Sequence, residues 1–373
     1  MNPNYESLFE KLTFKNNSQI KNRIAMAPMT NYSSHPDGTV SDVEIDYYVR
    51  RSKRVGMVIT ACAYVTPDGK GFHGEFGADN DDMISSLQRL ASSIKEQGAK
   101  AVLQIFHGGR ECPPELVPNK DVVSASAVAS ERRDVTPRAL TEKGVEDIIK
   151  SFGDATRRAI EAGFDGVEIH GANGYLIQQF FSPHSNRRED SFGGSLEKRL
   201  TFPLAVVDEV KKVVKTHAKE PFIVGYRFSP EEPTTPGITM TDTLKLVDEL
   251  SDKGLDYLHV SLMDFWSKPR RGVDDTNTRI QYLLEKIDDR VPLIGVGSIH
   301  TAKEAKKALD AGVAMVALGR ELLMEPDWVQ KIEEGKESEI VTTLSKKDQD
   351  RLVIPDPLWK ALISRPGWLP VVE

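Results

Sequence analysis

Two hydrophobic periods alternate along this chain. Met57–Val65, Ala101–His107, Gly166–Gly171 and Phe222–Ser229 are short apolar runs rich in β-branched residues, as expected of parallel strands covered on both faces. Arg23–Pro28, Tyr257–Leu262, Pro292–Ile299 and Met315–Leu323 bring the count to eight. Helical patterns lie between them at Asp42–Lys53, Asp82–Gln97, Glu142–Ala162, Leu196–Val214, Thr241–Lys253, Asn277–Ile287 and Ala302–Ala311, and Asp327–Glu334 follows the last run. In Glu142–Ala162, the residues Val145, Ile148, Ile149, Phe152, Ala155, Ala159 and Ile160 form one apolar stripe. Ser41 with Glu44 and Thr301 with Glu304 predict capping boxes. Gly98, Gly163, Gly254 and Gly312 stand where helices end in a left-handed residue.

Eight strand–helix units predict an α/β fold, a single (β/α)8 TIM barrel. A doubly wound sheet shares the local signals, and the count of units separates the two. The expected domain is the whole chain, 1–373, with the barrel core over about 23–336 and a C-terminal tail over 337–373. Gly108–Leu140 is too long for a plain connection and predicts a small hairpin or lid. With Phe181–Ser195 it follows a strand, so both insertions belong to the C-terminal face, where barrel enzymes keep their chemistry.

Polar residues interrupt these apolar strands. Gln104, Glu168, His170 and Arg227 each alternate with apolar neighbours, which directs them into the barrel or its mouth. Such groups are costly to bury without a partner, so together they point to a polar ligand. Gly297-Ser298 and Gly319-Arg320 follow the last two strands. Glycine permits close backbone approach and arginine supplies a forked cation, as a phosphate group requires. By contrast, Gly69–Gly74 matches G-x-G-x-x-G, but Thr66-Pro67-Asp68 separates it from its strand and no helix follows directly. A dinucleotide fingerprint needs that tight turn.

Composition narrows the class. The net charge of −7 argues against nucleic acid as a partner, and no apolar stretch approaches the ~20 residues that cross a bilayer. Residues 1–10 lack the basic and apolar regions of a signal peptide. The two cysteines, Cys62 and Cys112, cannot build a disulfide framework or a four-cysteine cluster and suit a reducing cytoplasm. His107 and His170 alone do not make a metal site, so no metal is expected.

The block Glu168–Arg199, reading EIHGANGYLIQQFFSPHSNRREDSFGGSLEKR, resembles the signature of the old yellow enzymes, the NADH:flavin oxidoreductase family. NRIAMAPMT from Asn22 to Thr30, Gln104 with His107–Arg110, and Gly319–Leu323 support the likeness, which runs from Asn22 to Trp328. The resemblance implies bound FMN and a hydride donor, NADH or NADPH. It implies that Ala27, Pro28, Met29 and Thr30 run under the flavin ring, with Ala61 packed beside it. Gln104 would face the pyrimidine edge and Arg227 the N1–C2 side, while Gly297, Ser298, Gly319 and Arg320 would hold the phosphate. His170 and Asn173 would polarise a carbonyl over the ring, Tyr175 would protonate the α-carbon, and Tyr32 would line the substrate pocket. The implied reaction reduces activated C=C bonds of small electrophiles by hydride from reduced flavin N5. Alternatives on the same site are quinone or nitro-compound reduction, or flavin binding without catalysis. Thr30 and Asn173 resemble one branch of the family and Arg365–Trp368 another, which leaves a homodimer or a homotetramer as the expected assembly. Arg365 is read as an exposed tail residue, with a neighbouring subunit's site as its other destination.

Overall fold

In the computed structural model, which describes residues 1–373, every apolar run forms a strand. These are β1 (Ile24–Met26), β2 (Met57–Tyr64), β3 (Lys100–Phe106), β4 (Gly166–Gly171), β5 (Ile223–Phe228), β6 (Tyr257–Val260), β7 (Leu293–Gly295) and β8 (Met315–Leu318). They close into a parallel barrel in the order β6-β7-β8-β1-β2-β3-β4-β5. The predicted helices surround it. In Glu142–Glu161, Val145, Ile148, Phe152, Ala155 and Ala159 are buried, and the Thr141 side chain accepts the first-turn Gly144 N–H. Gly98, Gly163, Gly254 and Gly312 all have positive φ, as the helix ends require.

Alternation divides the core in two. The outward set of each strand packs under the helices. Inside, Ala25, Ala27, Met57, Ile59, Val102, Ile223, Tyr257, Ile294, Met315 and Ala317 meet Phe14 and Ile20. Those last two come from a short antiparallel pair, Leu12–Thr13 with Gln19–Ile20. This apolar plug closes the N-terminal end, so polar side chains are left only the C-terminal end.

Several local expectations change. Thr301 and Glu304 form a reciprocal capping box. Ser41 caps its helix, but Glu44 does not reach back; it is buried and accepts from Ser34 Oγ at 2.8 Å. The Gly108–Leu140 insertion carries three 3-10 turns and a two-residue pair, Val123–Ser124 with Arg138–Ala139, which is parallel and so not a hairpin. The last strand stops at Leu318, because Gly319 opens a helical turn at Arg320–Met324. The expected helix at Leu196–Val214 divides at Leu200 into Leu196–Arg199 and Thr201–His217. Among the helices not read from the sequence are Leu176–Phe181 and Asp356–Ile363. The first is six residues long and buried on every side, Gln178 and Gln179 included, so it shows no amphipathic period. The second lies in the tail and buries Leu358, Trp359 and Leu362.

Candidate active site

Strand register lines up the polar interior in two rows. Gln104 pairs with Glu168, Glu168 with Gly225, and Gly225 with Tyr257. One step nearer the C-terminal end, His170 pairs with Arg227 and Arg227 with His259. In the lower row, Gln104 Nε2 donates to Glu168 Oε1 at 2.7 Å and the Tyr257 hydroxyl to Glu168 Oε2 at 2.9 Å. A Cβ on Gly225 would stand 2.1 Å from the Tyr257 ring, so glycine is what lets that ring cross the barrel. His259 Nδ1 lies 2.9 Å from Glu168 Oε2. Burial alone would raise the Glu168 carboxyl, but His259, Arg227 and the Gln104 hydrogen bond outweigh it and hold it below the usual range. Tyr257 and His259 escaped the sequence reading, although the alternation that singled out His170 also singles out His259 between Leu258 and Val260.

Arg227 is the incompletely paired member. It is buried, and its Nε finds no hydrogen-bond partner in the protein. A buried unpartnered donor on a cation is expensive, so this position fits an acceptor atom of a bound group. The same cavity, about 130 Å³, is lined by Ala27, Pro28, Met29, Gly297, Gly319 and Arg320. Arg320 Nη2 donates to Ser298 Oγ at 2.7 Å, and Ser298 Oγ donates to the Met263 carbonyl at 2.7 Å. Gly297 has φ 138°, and a Cβ there would lie 2.6 Å from the Phe265 amide nitrogen. The donor set is a buried guanidinium beside a planar apolar floor, with a second guanidinium at a glycine turn. It fits a flat heteroaromatic group carrying a phosphate.

Of the residues expected to act on substrate, His170 and Tyr175 are brought together, with ring centroids 5.1 Å apart at 76°. His170 Nδ1 accepts the Ala172 amide at 3.3 Å, so the neutral ring carries its proton on Nε2, free to donate. Burial, then the charge of Arg227, pushes its pKa down to about 3; it is neutral throughout the working range. Tyr175 packs edge-on against Phe106 at 4.8 Å, and burial raises its phenol well above the ordinary value. Asn173 is held by two serines just past strand ends. Its amide N–H donates to Ser229 Oγ at 2.8 Å and its Oδ1 accepts from Ser261 Oγ at 2.9 Å. That leaves the side-chain NH2 as its free donor. Asn173 has φ 60°, a backbone state that asparagine tolerates better than most residues.

A second cavity, about 360 Å³, is walled by Thr30, Tyr32, Phe72, Tyr175 and tail residues including Arg365. Arg365 is thus exposed, as expected, but it faces the cavity of its own chain. Ala61 is buried at an irregularity in the β2–β3 pairing. Phe72 is fixed by Glu75, whose Oε2 accepts the Gly71 and Phe72 amides at 2.7 and 3.0 Å.

Burial raises the Glu75 carboxyl to about 8. Its folded-state pKa lies above the unfolded value, so the folded protein holds the proton more tightly. A destabilising contribution therefore grows as pH rises from the unfolded pKa and is complete above the folded one. The Tm of the wild type should fall more steeply than that of Glu75→Gln between about pH 5 and 8; parallel curves from a thermal-shift series would refute the assignment.

A closed parallel barrel with a buried cation, a glycine turn and a neutral histidine–tyrosine pair at its C-terminal end is a cofactor-dependent barrel enzyme. The model of the NADH:flavin oxidoreductase / NADH oxidase family matches residues 7–339, and the chain belongs to that family, the old yellow enzymes. It is an oxidoreductase with FMN as cofactor and NADH or NADPH as electron donor. It is 58% identical to the probable NADH-dependent flavin oxidoreductase YqiG of Bacillus subtilis, over 99% of each chain. It is 43% identical to the NADH:fumarate oxidoreductase of Klebsiella pneumoniae over 95% of this chain, which spans only 39% of that protein. Morphinone reductase in complex with tetrahydroNAD superposes with a TM-score of 0.75 at 28% identity, covering 88% of this chain and 91% of the other. No helix is long and apolar enough to cross a membrane.

Proposed function

We propose that the enzyme reduces carbon–carbon double bonds activated by a conjugated carbonyl or similar group. The observation that carries this reading is the pairing of a neutral donor, His170, with a protonated phenol, Tyr175, at ring contact. Flavin binding alone needs no such pair. Bound FMN supplies the hydride that reaches the β-carbon. His170 Nε2–H and the Asn173 NH2 donate to the substrate's carbonyl oxygen and stabilise negative charge as it develops there. Tyr175 holds the proton that the α-carbon takes. Tyr32 and Phe72 shape the pocket. Tyr32 meets Phe72 edge-on at 6.0 Å.

We further assign FMN to Ala27–Thr30, Ala61, Gln104, Arg227, Gly297, Ser298, Gly319 and Arg320. Gln104 is oriented by its donation to Glu168, which leaves its carbonyl oxygen as an acceptor for a ring N–H. Arg227 would balance negative charge on the reduced cofactor, and Arg320 with the Gly297 turn would hold the phosphate. Gly297→Ala forces a side chain into strained backbone, costing of order 1–3 kcal/mol, so FMN should bind about tenfold more weakly or worse. Flavin retained after dialysis, read by visible absorbance, checks this; full retention would remove Gly297 from the assignment.

The chain is proposed to act as one domain over 1–373. Its two cysteines are free and buried, which suits a reducing compartment. The deciding experiment is anaerobic NADH and NADPH oxidation with a panel of enones and quinones, with product analysis. A saturated ketone formed in step with coenzyme loss is expected. Turnover with quinones alone would overturn the alkene assignment.

A further inference from the structure

We propose that Arg132 and Arg365 form an anion subsite over the Tyr175 cavity, reading an oxyanion carried in by a reactant, and that this ligand is a carboxylate on the alkene substrate. The inference rests on the alkene-reductase reading above. The chain is acidic overall, yet no acidic residue lines this cavity, and its only charged residues are these two arginines.

Neither guanidinium has a charge partner. Other arginines around the insertion are occupied. Arg110 donates to the Val128 and Ala129 carbonyls, Arg133 to the Glu111 carbonyl, and Arg188 to Asp190 and the Ala125 and Leu140 carbonyls. Arg132 makes only a backbone hydrogen bond, from its amide to Ser130 Oγ. Its charge is nonetheless felt by the Tyr175 phenol. Arg365 has one weak partner, the Tyr32 hydroxyl at 3.5 Å.

The position of Arg365 is built. It sits two residues beyond a helix that buries Leu358, Trp359 and Leu362, and the Trp368 carbonyl accepts from Arg320 Nη1 at 3.4 Å. The two arginines arrive on separate segments, the insertion and the tail, and line one cavity. Two unpaired forked cations over an acid-free pocket suit a carboxylate or a phosphate. Sharing a cavity of about 360 Å³ with Tyr175 favours the small anion, a carboxylate on the molecule being protonated.

The test uses the FMN-loaded enzyme with trans-4-oxo-2-pentenoate and its ethyl ester, which share alkene and ketone but differ in charge. Arg132→Gln and Arg365→Gln should each raise KM for the acid about tenfold. The ester and both coenzymes should stay within about twofold, and Arg365→Lys should recover part of the loss. A rise confined to NADH or NADPH would identify a coenzyme phosphate as the anion and overturn the carboxylate. Equal rises for acid and ester would overturn the subsite altogether.

Binding of the saturated acid 4-oxopentanoate, followed by the visible flavin spectrum, gives a readout independent of turnover. It should weaken about tenfold in either glutamine variant and weaken with salt in the wild type. If neither alkene is reduced but this binding behaves as stated, the catalytic reading fails and the subsite stands. If the alkenes are reduced while 4-oxopentanoate binds both variants as tightly as the wild type, the subsite fails alone.

Discussion

Tyr175→Phe should slow reduction of an enone by about 10²–10⁴-fold, the usual worth of a positioned general acid. Reduction of the flavin by NADH or NADPH should proceed at close to the wild-type rate. Phenylalanine keeps the ring contacts with Phe106 and His170, so the fold and the pocket wall survive and only the proton is lost. Because burial raises the phenol well above its ordinary value, the wild-type acceptor step should show no decline from phenol ionisation up to about pH 10. Stopped-flow absorbance resolves the two half-reactions. Equal losses in both would mean that Tyr175 shapes the site and does not protonate the substrate.

A stability loss of about 3–5 kcal/mol is expected for Glu168→Gln, the cost of breaking a buried charge pair from one side. Glutamine can still meet Gln104 and Tyr257, so shape changes little. What disappears is the negative charge facing Arg227 and His259, so the buried Arg227 guanidinium loses that counter-charge. Denaturant unfolding of the FMN-loaded protein measures the change. A loss below about 1 kcal/mol would show that the cation is balanced elsewhere.

Alternation in its strand marked Glu168 and the family motif marked Tyr175, yet the partners of neither were visible. Periodicity identified every barrel strand because each is apolar on both faces, and it placed Gln104, Glu168, His170 and Arg227 inside because a side chain on a strand has only two directions. It could not show that Gln104, Glu168 and Tyr257 share one row while His170, Arg227 and His259 share the next. Register between strands depends on barrel closure, and contacts such as Glu168–His259 span many residues of sequence. The family motif named Asn173 as a partner of His170. The Asn173 side-chain carbonyl is held by Ser261 and its backbone by Ser229, two serines just past strand ends that no local pattern distinguishes.

The tail shows the limit most clearly. Arg365 reads in sequence as one charged residue near an end, and nothing local assigns it a destination. Its place over the cavity follows from packing of Leu358, Trp359 and Leu362 and from the link between Trp368 and Arg320. Sequence alone determined the eight-unit barrel, the polar interior and the family, since each is written in short-range period or contiguous motif. Only the tertiary structure decided which donors are already engaged, which cations are left unpaired, and which residues from distant segments face one ligand, because those depend on contacts made after the chain has closed on itself.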